Sequence, residues 1–281
     1  MKKRTLGVLL TLALAGGVLA GCGSSSQETT GSDTASSTSE TTADESGRTQ
    51  LIVGFDAEYP PYGYMDDDGE YTGFDLELAQ AVCDMEGWEL VKQPIDWSSK
   101  DGELNGGSID CIWNGFTMNG KEDDYEWSDA YVNNEQVIVV AKDSGIESLS
   151  DLAGKIVGVQ QASAALDVLT NEDYQKELGD TFAEMQQFGD YNVAFTELTT
   201  GSLDAVAMDV GVAQYQLEER GEGKYMILEE ALNSEQYGIG FKLGNTSLRD
   251  VVNEDLHKLA QDGTVAELAE KYGIADMICI E

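Results

Sequence analysis

Basic residues are scarce in this chain: 16 Lys and Arg stand against 53 Asp and Glu over 281 residues, a formal charge of −37. Neutralising nucleic-acid phosphates takes cations, and so does attraction to an anionic membrane surface, so both classes of partner are disfavoured. Histidine is scarcer still. His257 is the only one, set in a helical pattern between Leu256 and Lys258, so any Ser-His-Asp triad would have to draw its base from this one residue. The four cysteines show no CxxC or CxxH spacing, and no zinc site is expected. The acidic run Asp66-Asp67-Asp68-Gly69-Glu70 lacks the alternating Asp spacing of a calcium loop and reads as a solvated hairpin turn. No catalytic residue, metal or cofactor is assigned. What remains is ample for folding: 41 % of residues are hydrophobic and 8 % aromatic, and the length suits one large or two ordinary domains.

Lys2, Lys3 and Arg4 precede a single apolar run from Leu6 to Ala20, short of the roughly 20 residues of a membrane span but suited to a signal peptide. The run ends in Leu19-Ala20-Gly21-Cys22, which resembles the lipobox of bacterial lipoproteins. That resemblance implies cleavage after residue 21 and a diacylglycerol on Cys22; the alternative is an ordinary signal peptide with a chance cysteine. Residues 23–48 carry no aromatic or large aliphatic side chain and cannot bury apolar surface. We read 22–48 as a lipidated cysteine and flexible tether, with a mean reach of roughly 25–30 Å above the outer face of the membrane.

From Leu51 onward, short apolar runs alternate with helical patterns. Strands are expected at Leu51-Phe55, Trp88-Lys92, Ile109-Trp113, Gln136-Ala141, Ile156-Val159, Asp204-Met208, Tyr225-Leu228 and Tyr237-Phe241. Helices fit Phe74 to Met85 with Asp75 as cap, Ala164-Thr170, Val193-Thr200, Val210-Glu219, Leu248-Gln261 and Val265-Tyr272. The alternation points to α/β architecture with mainly parallel sheets. Gly107-Ser108-Ile109-Asp110-Cys111-Ile112 echoes Gly201-Ser202-Leu203-Asp204-Ala205-Val206, as two lobes of similar build would produce, although chance would also produce it. With two such lobes, ligands belong beyond the carboxyl ends of the strands, where Asn114 and Asp209 sit.

Gly73-Phe74-Asp75-Leu76-Glu77-Leu78-Ala79 resembles the signature of the polar amino-acid family of bacterial extracellular solute-binding proteins. So do Asp56-x-x-Tyr59-x-Pro61-Tyr62, Asp96-Trp97, Gly107-x-Ile109-Asp110-Cys111, Gly115-Phe116-Thr117, Trp127-Ser128-Asp129 and Leu149 to Gly158, and Asp262-Gly263-Thr264 with Lys271-Tyr272-Gly273 matches the C-terminal helices. The resemblance spans roughly residues 50–275 in order. It implies a two-lobed, periplasmic-binding-protein-like (Venus flytrap) fold: lobe 1 from 49–134 and 237–281, lobe 2 from 135–236, and a two-strand hinge near Asn134 and Gln236. It also implies a monomer that closes on a free L-amino acid and delivers it to the permease of an ABC importer, with no chemistry of its own.

Carried over by position, Tyr59 and Trp97 match the aromatic pair that encloses the ligand side chain, though Trp97 alone would read as a packing residue. Asn114, Gly115, Phe116 and Thr117 match the loop that meets the α-amino and carboxylate groups. Asp209 matches the partner of the α-ammonium, a helix N-cap, or both at once; a buried ammonium needs such a charge-assisted partner. Ser163 matches a carboxylate-binding position and equally a helix N-cap. Asp56, Glu58, Gln160, Gln161 and Met208 match positions near the side-chain end. The family's Arg after Gly-x-Thr is missing. Lys121 is the cation available for its role, a point charge rather than a fork, or else an exposed residue balancing acidic neighbours. The arginines Arg48, Arg220 and Arg249 lie away from the motif loops, which favours basic or neutral polar amino acids over acidic ones. Cys83 and Cys111 fall in one lobe, where a disulfide is permitted. The competing readings are an enzyme on the same scaffold, of the cyclohexadienyl dehydratase kind, with Glu58 or Glu122 as its acid, and a sensing lipoprotein.

Overall fold

The structure is a computed structural model that describes residues 47–221 and 223–281. The expected signal peptide, Cys22 and nearly all of the tether lie outside those residues. Arg48 does not belong to the tether: its guanidinium lies 3.1 Å from Asp110 and over the Trp88 ring, so the chain joins the folded body before Leu51.

One sheet begins with β1 (Gln50–Phe55), followed by the small three-stranded sheet of β2 (Glu58–Tyr59), β3 (Gly63–Met65) and β4 (Tyr71–Thr72). Helix α1 (Phe74–Glu86), β5 (Glu89–Pro94), α2 (Lys100–Gly106), β6 (Cys111–Ile112) and β7 (Glu126–Trp127) continue this lobe. The chain then crosses on β8 (Val132–Ala141) into a second sheet, built with β9 (Ile156–Gln160), α3 (Ala164–Thr170), α4 (Lys176–Gly179), β10 (Glu184–Phe188), α5 (Tyr191–Thr200), β11 (Ala205–Asp209), α6 (Val210–Arg220), β12 (Tyr225–Ile227) and β13 (Asn233–Tyr237). It returns through β14 (Gly240–Phe241) and ends in α7 (Thr246–Asp262) and α8 (Thr264–Lys271).

The first sheet has the order β5-β1-β6-β14-β7 and the second β10-β9-β11-β8-β12, with β13 also on β8. The first three strands of each run parallel, and the strands that cross between lobes or return from the crossing run antiparallel. Strands buried on both faces need continuous apolar runs, and Ala205 to Met208 in β11 are fully buried; in β1, Leu51, Val53 and Phe55 on one face are fully buried and Ile52 on the other is half-buried.

The repeated hexapeptide is the same structure built twice. Gly107 and Gly201 both end a helix in the left-handed region, at φ 79° and 78°, a conformation glycine adopts without strain. Three residues on, the Asp110 amide donates to Ile52 O while its carboxylate accepts from the Ile52 amide, each at 2.8 Å. Asp204 does the same to Ile156, at 2.9 and 2.8 Å. Ile109 packs over Gly54 and Leu203 over Gly158 so closely that a methyl group on either glycine would collide with them. Both clamps tie a βαβ unit to its first strand, which aims β6 and β11 at one cleft.

Candidate functional site

The lobe-1 wall is the turn from Asn114 to Thr117, at the end of β6. Gly115 holds it at φ 57°, and a side chain there would meet the rings of Tyr59 and Tyr237. The clamp beneath it is Asp75. Instead of capping α1, whose N-cap is Gly73, Asp75 turns inward: its carboxylate accepts from the Gly115 amide at 2.6 Å and the Tyr131 hydroxyl at 2.8 Å. Complete burial pushes it up to about 7 despite those donors. The Asn114 carboxamide accepts from the Asp56 amide at 3.0 Å, tying the turn to the end of β1.

From the other lobe come Gln160, at the end of β9, and Ser163, at the head of α3. Ser163 is the N-cap: its hydroxyl accepts from the Leu166 amide at 3.2 Å and donates to Gln160 O at 2.8 Å. Between them Ala162 sits at φ 55°, the one described residue other than glycine held at positive φ, a local strain of the kind found at ligand sites. Asp209 precedes α6, yet its side chain makes no capping bond. Its Oδ1 accepts instead from Tyr237 at 2.6 Å, Gln136 at 2.6 Å and Asn134 at 2.8 Å.

These walls enclose a small, tightly closed cavity between the lobes. Ten of the eleven expected contact residues line it: Tyr59, Trp97, Asn114, Gly115, Phe116 and Thr117 with Lys121 from lobe 1, and Gln160, Ser163 and Asp209 from lobe 2. Asp56 is the exception. It stands behind the wall, where Gln160 Nε2 donates to it across the lobes at 2.5 Å, and burial pushes its carboxyl up to about 6. Of the other side-chain-end positions, Gln161 is exposed and Met208 is fully buried, neither on the cavity. Trp97 and Phe116 meet edge to face at 5.5 Å, so Trp97 packs and lines the cavity at once.

The ammonium of Lys121 meets no side-chain partner among the described residues, while its carbonyl is fixed by Trp127 Nε1 at 2.9 Å. Sequence reasoning missed a second cation. Lys100, only 5 % exposed, lies 5.0 Å from the Trp97 ring centroid and donates to Ala162 O in the opposite lobe at 3.3 Å. Burial without a carboxylate partner lowers its pKa. Glu235 was missed as well. It is 4 % exposed in β13 and accepts from the Thr117 hydroxyl at 2.9 Å. Its place on the same strand face as Tyr237, two residues on, was the available signal.

Cys83 and Cys111 are separate buried thiols in this structure, not a disulfide, and their burial raises both pKa values. Asp66 closes the acidic hairpin, its carboxylate accepting from the amides of Asp68 and Glu70. His257 takes no part in the cavity; it pairs with Asp129 at 2.8 Å on the outer side of α7.

The chain is similar to proteins of known role across most of its length. The arginine-binding extracellular protein ArtP of Bacillus subtilis is 29% identical over 238 residues, 83% of this chain and 90% of that protein. The L-cystine-binding protein TcyJ of Escherichia coli strain K12 is 28% identical over 233 residues, 82% of this chain and 85% of that protein. Among solved structures, an ABC uptake transporter substrate binding protein from Streptococcus pneumoniae with bound histidine superposes with a TM-score of 0.77 at 33% identity, covering 82% of this chain and 94% of that one. The model of one family matches residues 51–275. The chain belongs to the bacterial extracellular solute-binding proteins, family 3.

Proposed function

We propose that this protein captures a free L-amino acid with a basic or neutral polar side chain between its lobes and hands it to the permease of an ABC importer. The observation that carries this reading is a charge layout. Asp209, free of capping duty, faces a small cavity that also holds the unpaired cation of Lys121 and is lined by the rings of Tyr59, Trp97 and Phe116. A zwitterion fits such a site: the ammonium pairs with Asp209, and the carboxylate meets Lys121 and the head of α3 at Ser163. On the other side of Trp97 a separate cleft is lined by Asp56, Glu58, Asp96, Glu103 and Asp190, with no Lys or Arg on its walls. Acidic surroundings of this kind favour a cationic or neutral ligand side chain nearby and repel an acidic one. The β8–β13 ribbon is the hinge in this reading, with the lobe boundaries near Asn134 and Gln236. Cys22 is the lipid anchor that keeps the monomer at the outer face of the membrane.

An enzyme of the dehydratase kind needs a protonated acid aimed into the cavity. Glu58 and Glu122 are both exposed, Glu58 bound to Asn192 and Glu122 to the Gly120 amide, which helps hold its carboxyl below the usual range.

The test is the melting temperature of the purified protein against the twenty L-amino acids. A ligand at about 1,000 times its dissociation constant adds about 4 kcal/mol, a rise of roughly 8–16 °C for a body of this size. A shift with arginine, lysine, histidine or glutamine is the expected result. A shift with glutamate alone would overturn the side-chain assignment, and a flat panel would overturn the amino-acid reading.

A further inference from the structure

Behind Asp209 lies a second buried carboxylate with no countercharge. Cross-strand pairing in the β8–β13 ribbon sets Glu235 opposite Asn134, and period-two alternation turns Asn134, Gln136, Glu235 and Tyr237 to one face. That face is inward, so four polar side chains occupy positions that apolar residues would normally fill. Gln136 Nε2 donates to Asp209 Oδ1 at 2.6 Å and to Glu235 Oε1 at 2.7 Å; Asn134 Nδ2 donates to the same two atoms, at 2.8 Å each. Two acids therefore share two donors, while the Asn134 and Gln136 carboxamide oxygens face no donor.

The groups around this pair all bear on its charge. Tyr237 donates to Asp209 from β13, and Tyr59 supports it from β2. The Thr117 hydroxyl donates to Glu235. Tyr62 and Tyr191 face the pair with phenols whose own ionisation is suppressed, and Tyr174 feels Glu235 from the loop after α3. No Lys, Arg or His among the described residues forms an ion pair with either acid. Two ionised carboxylates in such a place repel each other and lack solvation, so the ligand-free pair keeps a proton. Burial and the charge of Asp209 push Glu235 up to about 7.

We propose that Glu235 is a positioning residue of the ammonium site, and that capture of an amino acid expels one proton from the Asp209–Glu235 pair. The inference rests on the reading that Asp209 receives the α-ammonium. An ammonium beside Asp209 supplies the missing positive charge, after which every donor around the pair suits two ionised acids. Glu235 also orients Thr117: with its hydroxyl hydrogen committed to Glu235, the oxygen presents lone pairs to the cavity, where an ammonium can donate. No atom of Glu235 lines the cavity itself, so its action passes through Thr117 and the two shared carboxamides.

The experiment is calorimetric titration of the protein with L-arginine and L-glutamine, whose side chains do not titrate near neutrality. Phosphate and imidazole buffers at about pH 6.5 differ in ionisation heat, so the difference counts protons. The expected result is release of about one proton per amino acid bound, with affinity rising up to about tenfold per pH unit below neutrality and levelling above it. In Glu235→Gln the release falls towards zero and the pH profile flattens, a change that a purely structural role would not produce. Binding without proton release by the unaltered protein overturns the inference even if the variant fails to fold. Equal release by both proteins also overturns it. Absence of binding by any of the twenty amino acids overturns the amino-acid reading first, and this inference with it.

Discussion

Gln160 and Asp56 belong to opposite lobes, and a single hydrogen bond of 2.5 Å joins them across the cleft. Both are almost fully buried in this closed arrangement. The bond exists only when the lobes are together, so it biases the equilibrium towards the closed state without touching the ligand's charged groups. Gln160→Ala leaves Asp56 short of a partner in the closed form alone. Amino-acid affinity should fall roughly 5- to 30-fold, about 1–2 kcal/mol. The melting temperature without ligand should hardly move. Titration and melting of the two proteins check both halves, and an unchanged dissociation constant would discard the bridge.

Asp209 should separate binding from stability more sharply. Replacing it with Asn removes the partner of a buried ammonium, a loss on the order of 2–5 kcal/mol, or at least about 30-fold in affinity. The same change takes a poorly solvated acid away from Glu235. The ligand-free variant should therefore melt no lower than the parent, and a clear drop in melting temperature would show that the pair stabilises the fold instead.

In the proposed reading Lys121 supplies a point charge where the family resemblance leads one to expect the planar fork of an arginine. Lys121→Arg should tighten amino-acid binding several-fold by adding a second parallel hydrogen bond, and Lys121→Ala should weaken it about tenfold or more. The two dissociation constants decide the matter, since an exposed lysine without a role would leave both unchanged.

Acidification should stabilise the ligand-free protein across the neutral range. Asp56, Asp75 and Glu235 are raised to about 6, 7 and 7, whereas in the unfolded chain such groups ionise near 4. Between those limits the native state binds more protons than the unfolded state, so stability falls as pH rises. His257, raised by its bond to Asp129, acts with the same sign: its contribution is present below about 6.5 and lost as pH climbs through its native value. The lowered carboxylates, such as Glu77 and Asp129, titrate below this window. Melting should thus be higher at about pH 5 than at about pH 8, while amino-acid affinity runs the other way. A flat melting profile would mean these acids are already ionised in the native state.

Much of the molecule was legible because local signals and tertiary roles coincide. The glycine stop, the apolar strand and the Asp clamp recur as one hexapeptide in both lobes, so pattern and fold agree there. The cavity turn was legible because its backbone and short side chains are themselves the wall. Strand β10, Glu184–Phe188, escaped because Glu, Gln and Gln interrupt its apolar pattern and its burial is only partial. The crossing strand was placed at Tyr237-Phe241, yet pairing with β8 runs from Asn233 to Tyr237 and a separate short strand follows at Gly240. Hydrophobic periodicity cannot find a ribbon whose buried face is Asn134, Gln136 and Glu235. Asp75 misled for a related reason: the start of a helix invites a capping reading, and only the distant Gly115 amide, forty residues on, reveals its use. Lys100 was missed because its burial depends on Ala162 in the other lobe, which its neighbourhood in the sequence does not reveal.

The strand order has a consequence for how the chain is made. Every strand of the second sheet has left the ribosome once Tyr237 appears, so that lobe holds all its own pairings while the rest is still being synthesised. The first lobe waits. Its sheet places β14 between β6 and β7, so β7 has no neighbour until residues 240 and 241 arrive, and α7 and α8 come later still. A nascent chain halted before Gly240 would carry one finished lobe and one with an open sheet edge, the kind of edge that chaperones and stray strands recognise.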